Sequence, residues 1–100
     1  MNEAQEAIYI GSKEQSGIWE VINDIANSQK ISREEAFFLI QKEVNFLQGT
    51  KDIFFIKSQK LYDSSNCIVL DPCQLKSMKL CDVEFSEEGP FYYFSNLPSI

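Results

Sequence analysis

The sequence predicts an α+β domain: two N-terminal helices, then a small antiparallel sheet of about three strands with a short helix inserted before the last. Three observations carry this. Apolar residues between Ile18 and Leu47 recur at helical spacing, the segments 52–57, 67–70 and 91–95 are short, β-branched and aromatic, and Gly and Pro fall where elements end. At 100 residues, 44% of them hydrophobic and 13% aromatic, the chain is sized for one core and one domain, 1–100.

Residues 1–11 have the weakest claim to order. Their apolar stretch Ala7 to Ile10 reads equally as a frayed helix start or a short edge strand. Ser12 with Gln15 matches a capping box, and Ile18, Trp19, Val21, Ile22, Ile25 and Ala26 follow at i, i+3, i+4 and i+7, predicting a first helix from Lys13 to Ser28. Trp19 borders that stripe and reads as a core residue.

Asn27 to Ile31 breaks the pattern, and Ser32-Arg33-Glu34-Glu35 supplies a second capping box, its acids in the first turn where the helix dipole favours them. Ala36, Phe37, Ile40, Val44 and Leu47 form the inward stripe, Ile31 is placed as a hydrophobic staple, and Gly49 is a left-handed stop. Phe37 and Phe38 point about 100° apart, so one of them faces water.

Asp52 to Lys57 predicts a strand that pairs antiparallel with Cys67 to Leu70. Asp71-Pro72 offers an N-cap and a proline at the first helical position, predicting a short helix from Pro72 to Lys79 that packs Leu75, Met78 and Leu80. After the turn signal Glu88-Gly89-Pro90, the run Phe91 to Ser95 returns to the sheet as a third strand. Helices followed by a hairpin and a late strand suggest a winged-helix-like arrangement.

Composition excludes more than it specifies. The chain has no histidine, one arginine (Arg33) and a net charge of -6. It therefore lacks the usual general base and neutral metal ligand, and it lacks the positive field that nucleic acid and anionic lipid require. The second helix opens with Glu34 and Glu35 and exposes Gln41, Lys42, Glu43 and Asn45, a balanced face unlike that of a DNA-reading helix. Cys67, Cys73 and Cys81 follow no zinc spacing and read as buried or spectator thiols, Cys73 alone lying in a helix's first turn. The four glycines lie too far apart for a phosphate loop. The reading is thus no catalytic residue, no metal and no cofactor. With an acidic start and no apolar run of membrane length, the chain reads as cytoplasmic, with no membrane partner.

Asp82, Glu84, Glu87 and Glu88 cluster in a polar connector beside Gly89 and Pro90, which reads as a solvated acidic loop with no pocket implied. Beside them, Tyr92 and Tyr93 alternate faces on the last strand, as Phe54 and Phe55 do on the first. A sheet covered on one side only would expose aromatics next to these acids, making a docking surface for a basic, partly apolar protein. The competing explanation is a second covering layer or a homodimer. Asp82, Glu84, Glu87 and Glu88, with Tyr92 and Tyr93 as anchors, are the expected partner-binding residues.

The order of helix, capped helix, DIFFIK strand, Asp71-Pro72-x-x-Leu75 turn and FYYFS strand resembles the small bacterial toxin-immunity proteins, over residues 17–96. The resemblance rests on architecture, size and charge. It implies an inert acidic inhibitor that occludes a basic toxin domain such as a nuclease. A winged-helix-like adaptor or transcription-associated subunit acting through protein contacts is the alternative.

Overall fold

The computed structural model describes residues 2–48, 53–60, 66–83 and 87–96, with the side chains of 44–48 and of Pro72 outside the description. Three helices, rather than two, precede the sheet: α1 (Glu3–Glu14), α2 (Ile18–Gln29) and α3 (Arg33–Gln48). There follow β1 (Phe54–Ser58), β2 (Cys67–Leu70), α4 (Pro72–Ser77), a 3-10 turn (Leu80–Val83) and β3 (Phe91–Ser95).

The N-terminus is the main correction. Residues 3–14 form a regular helix opened by a reciprocal capping box: Asn2 Oδ1 accepts from the Gln5 amide at 2.8 Å, and the Asn2 amide donates to Gln5 Oε1 at 3.2 Å. Ala4 and Ile8 are buried in the core. Gln5 Nε2 and Asn2 Nδ2 both donate to the Glu43 carboxylate, at 2.6 and 3.2 Å, tying α1 to α3. Ser12 caps nothing. It lies in the last turn of α1, buried, with its hydroxyl donating to the Tyr9 carbonyl, while Gln15 is the left-handed C-cap of that helix.

Both α1 and α2 close with the amide of one residue bonded five positions back, Ser16 to Gly11 and Ile31 to Ala26, through residues at φ 55°, Gln15 and Lys30. Neither is the expected glycine, which is why the break between α1 and α2 is faint in the sequence. Helix α2 starts at Ile18, behind Gly17, with no side-chain cap. At Gly11 the two helices touch closely: an added Cβ would lie 2.8 Å from Val21 Cγ2.

Helix α3 begins as its sequence predicts, with Ser32 Oγ accepting from the Glu35 amide at 3.1 Å. Ala36, Phe37 and Ile40 are buried and Ile31 packs against the same core, whereas the expected Gly49 stop and the side chains of Val44 and Leu47 lie outside the described residues. Asp71 caps α4 with Gln74 completing a reciprocal box, and the helix ends at Ser77, short of Lys79. Gln41 Nε2, reaching across from α3, donates to the Leu75 and Met78 carbonyls at 3.0 Å each, a second donor for Leu75, whose carbonyl also accepts from the Met78 amide.

The sheet has the order β2-β1-β3, antiparallel throughout, with Phe55 opposite Leu70 and Phe94, and Ile56 opposite Val69 and Tyr93. Partners across strands share a face. Phe55, Leu70, Phe94 and Tyr92 therefore face the helical core, where Phe55 stacks on Tyr92 at 5.9 Å and tilts against Phe94 at 5.5 Å. On the opposite face Ile56 and Tyr93 are also buried, so the centre of the sheet is covered on both sides rather than solvated on one. The α1–α2 connection runs along β3, with the Phe94 amide donating to the Ser16 carbonyl, the Asn96 amide to the Ser12 carbonyl, and Gly17 bridging Tyr93.

Candidate functional site

The expected partner-binding residues do not all come together. Asp82, on the 3-10 turn, is exposed and caps that turn by accepting from the Lys79 amide at 2.8 Å. It is also near Tyr92: burial first, and the Asp82 charge second, push the Tyr92 phenol above its ordinary value, because both disfavour the phenolate. Glu87 and Glu88 are exposed in the turn before β3, where Gly89 at φ 75° and Pro90 reverse the chain. Glu84 lies outside the described residues.

Tyr92 is half-buried against Phe55 and can present an edge beside Asp82. Tyr93 cannot serve as the second anchor. Only 4% exposed, it turns to the other face of the sheet, where its hydroxyl hydrogen-bonds Cys67 Sγ. The alternation along β3 that makes one tyrosine available buries the other.

Among the described residues, the large apolar side chains left in water are Ile10 (51% exposed), Phe38 (66%), Ile68 (61%) and Val69 (40%). Ile10 belongs to a groove of about 300 Å³ between α1 and α2, with Ala7, Val21 and Ile25 along its floor. Glu3, Glu6 and Glu14 rim it from α1 and Asp24 from α2, and no Lys or Arg lines it among the described residues. Phe38 stands over a second depression with Ile31 and Leu39, flanked by Glu34 and Glu35. A third, of about 640 Å³, carries one charge of each sign, Arg33 and Glu34: the Arg33 guanidinium lies 4.9 Å above the Trp19 ring, beside Leu80 and Cys81. Trp19 is accordingly half-buried at the core's edge rather than inside it.

The angle between Phe37 and Phe38 predicts that one of the two is exposed, and the structure shows that it is Phe38; the α1–α2 groove has no counterpart in the sequence reading, where residues 13–28 form a single helix. The signal was present: Glu3, Ala7, Ile10 and Glu14 recur at three- and four-residue spacing, so they share one helix face. Of the two expectations for the thiols, buried or spectator, full burial does not hold. Cys73 and Cys81 are exposed and Cys67 is half-buried, none of them in a disulfide. Among the described residues no three His, Cys, Asp or Glu side chains are grouped to hold a metal ion, and no helix is long and apolar enough to cross a membrane. Comparison with protein-family models, with curated proteins and with solved structures finds no match for this chain.

Proposed function

We propose that this protein is an acidic protein–protein interaction module that holds a cationic protein, acting in the manner of an immunity protein: it binds a basic toxin domain, such as a nuclease, and neutralises it by occupancy. The observation that carries the reading is the pairing of exposed apolar side chains with carboxylates. Ile10 sits among Glu3, Glu6, Glu14 and Asp24, and Phe38 beside Glu34 and Glu35, with no Lys or Arg lining either surface among the described residues. Such surfaces steer a basic partner by charge and retain it by burying apolar area. A chain without imidazole contributes no ready proton shuttle, so inhibition comes from coverage rather than chemistry. The exposed thiols of Cys73 and Cys81 suit a reducing, cytoplasmic setting.

The second reading, a winged-helix-like adaptor, draws on one feature: α2 and α3 are joined by a short turn at Lys30 to Ser32, and the β1–β2 hairpin follows α3. In that arrangement the acids Glu34 and Glu35 at the start of α3 would direct it to a protein rather than to DNA.

The test is to look for a reading frame for a cationic toxin domain beside this gene and to titrate the domain it encodes with this protein, following the domain's own activity; a neighbourhood of transcription or metabolic genes instead favours the adaptor. The expected result is complete loss of activity at one-to-one stoichiometry. A toxin domain that stays fully active under saturating protein refutes the inhibitor reading.

A further inference from the structure

Resting on the reading above, we infer that the α1–α2 groove is the seat for a cationic amphipathic helix of the partner. The groove follows α1 from Glu3 to Glu14, a rise of about 17 Å or three helical turns. Ile10 and part of Ala7 offer accessible apolar surface along its length, over a floor closed by the almost fully buried Val21 and Ile25 of α2, with Glu3, Glu6 and Glu14 on one bank and Asp24 on the other.

Chemistry and shape select the occupant. The cavity, about 300 Å³, is at the small end for a ligand pocket, and Ile10 on its wall is half in water. That suits a row of side chains projecting from a partner better than an enclosed small molecule. A strand lying there would leave backbone N–H and C=O groups facing helix side chains, whereas a helix satisfies its own backbone and offers an apolar stripe at matching spacing. Lys or Arg flanking that stripe meets Glu14 on one bank and Asp24 on the other. A second copy of this chain is disfavoured, since a two-fold contact through the groove would set the acidic rims of two molecules, each at net charge -6, against each other.

The experiment is an amide NMR titration of the full chain with a synthetic, helix-stapled peptide of about twelve residues, Leu at helical spacing between Lys, against a peptide of the same composition in scrambled order. Expected are shifts confined to Ala7, Ile10, Gly11, Val21 and Asp24, with the scrambled peptide weaker. Charge reversal Glu14→Lys with Asp24→Lys weakens binding at least about tenfold, as like-charge contacts replace favourable ones. This pair keeps the fold, because a lysine in the last turn of α1 favours the helix dipole and Asp24 is exposed on α2. Ile10→Ser weakens binding by about the same factor through lost apolar area.

Shifts at Phe38 or at Asp82 and Tyr92 overturn the groove and leave the acidic-module reading standing. So does an inert groove in a protein that still captures the whole cationic toxin domain. Equal binding of the scrambled peptide overturns the helix, and concentration-dependent groove shifts in the protein alone replace it by a second copy. If neither peptide nor toxin domain binds, both proposals fall.

Discussion

Substitution of Gly11 by alanine tests the packing that forms the groove. In a helix interior this change ordinarily stabilises by about 1 kcal/mol. Here the new Cβ lies 2.8 Å from Val21 Cγ2, against an optimum of about 3.5–4.0 Å for two carbons. Val21 cannot give way easily: it is 2% exposed, and a β-branched side chain in a helix has one strongly preferred rotamer. Overpacking of this kind costs about 1–3 kcal/mol, so Gly11→Ala should lose about 1 kcal/mol net, a drop of roughly 4–8 °C in Tm. In a Val21→Ala background the obstructing methyl is gone, and the same change should gain about 1 kcal/mol. Thermal and urea unfolding of the four proteins gives the coupling, expected near 2 kcal/mol. Equal effects in the two backgrounds, within about 0.5 kcal/mol, would refute close helix contact as the reason for the glycine.

Adjacent phenylalanines should behave oppositely: Phe37→Ala, 5% exposed, loses about 3–5 kcal/mol, and Phe38→Ala, 66% exposed, stays within about 0.5 kcal/mol by urea unfolding. Gln41→Ala removes both 3.0 Å bonds to the end of α4 and should lower stability by about 1–3 kcal/mol, with faster amide exchange in α4 as the local readout. Lys30→Gly relieves the left-handed backbone at φ 55° and should raise Tm, a gain of up to about 1 kcal/mol. Tyr92 has its phenol pKa raised in the folded state, so its contribution to stability is intact below about pH 10 and is lost as pH rises through the folded value. Ultraviolet titration of Asp82→Asn should move that pKa part of the way down, since burial, the larger cause, remains.

How much was legible follows from where the local signals sit. Helix α3, helix α4 and the three strands carry caps, prolines and β-branched runs that act within a few residues, and each was readable to within about two positions. The first two helices were not, because their boundary depends on Gln15, a residue without left-handed preference, held there by backbone bonds that only the folded chain displays. The pattern Ser12-x-x-Gln15 imitates a helix start, and Asn2-x-x-Gln5, the true one, went unused. The acidic turn at Glu87 and Glu88, and the exposure of one of the pair Phe37 and Phe38, were visible from composition and helix angle. Burial of Tyr93 was not, since the cover on the sheet's second face is a tertiary property. The groove became visible only once α1 and α2 were separate helices facing each other.

The most direct test of the central proposal, that an acidic surface steers and holds a cationic partner, is the stopped-flow association rate with the proposed basic partner domain as ionic strength rises. Between about 0.01 and 0.15 M salt the screening length shortens from about 30 to 8 Å, and the rate is predicted to fall by about tenfold or more. An association rate that holds steady or increases across that range contradicts the proposal.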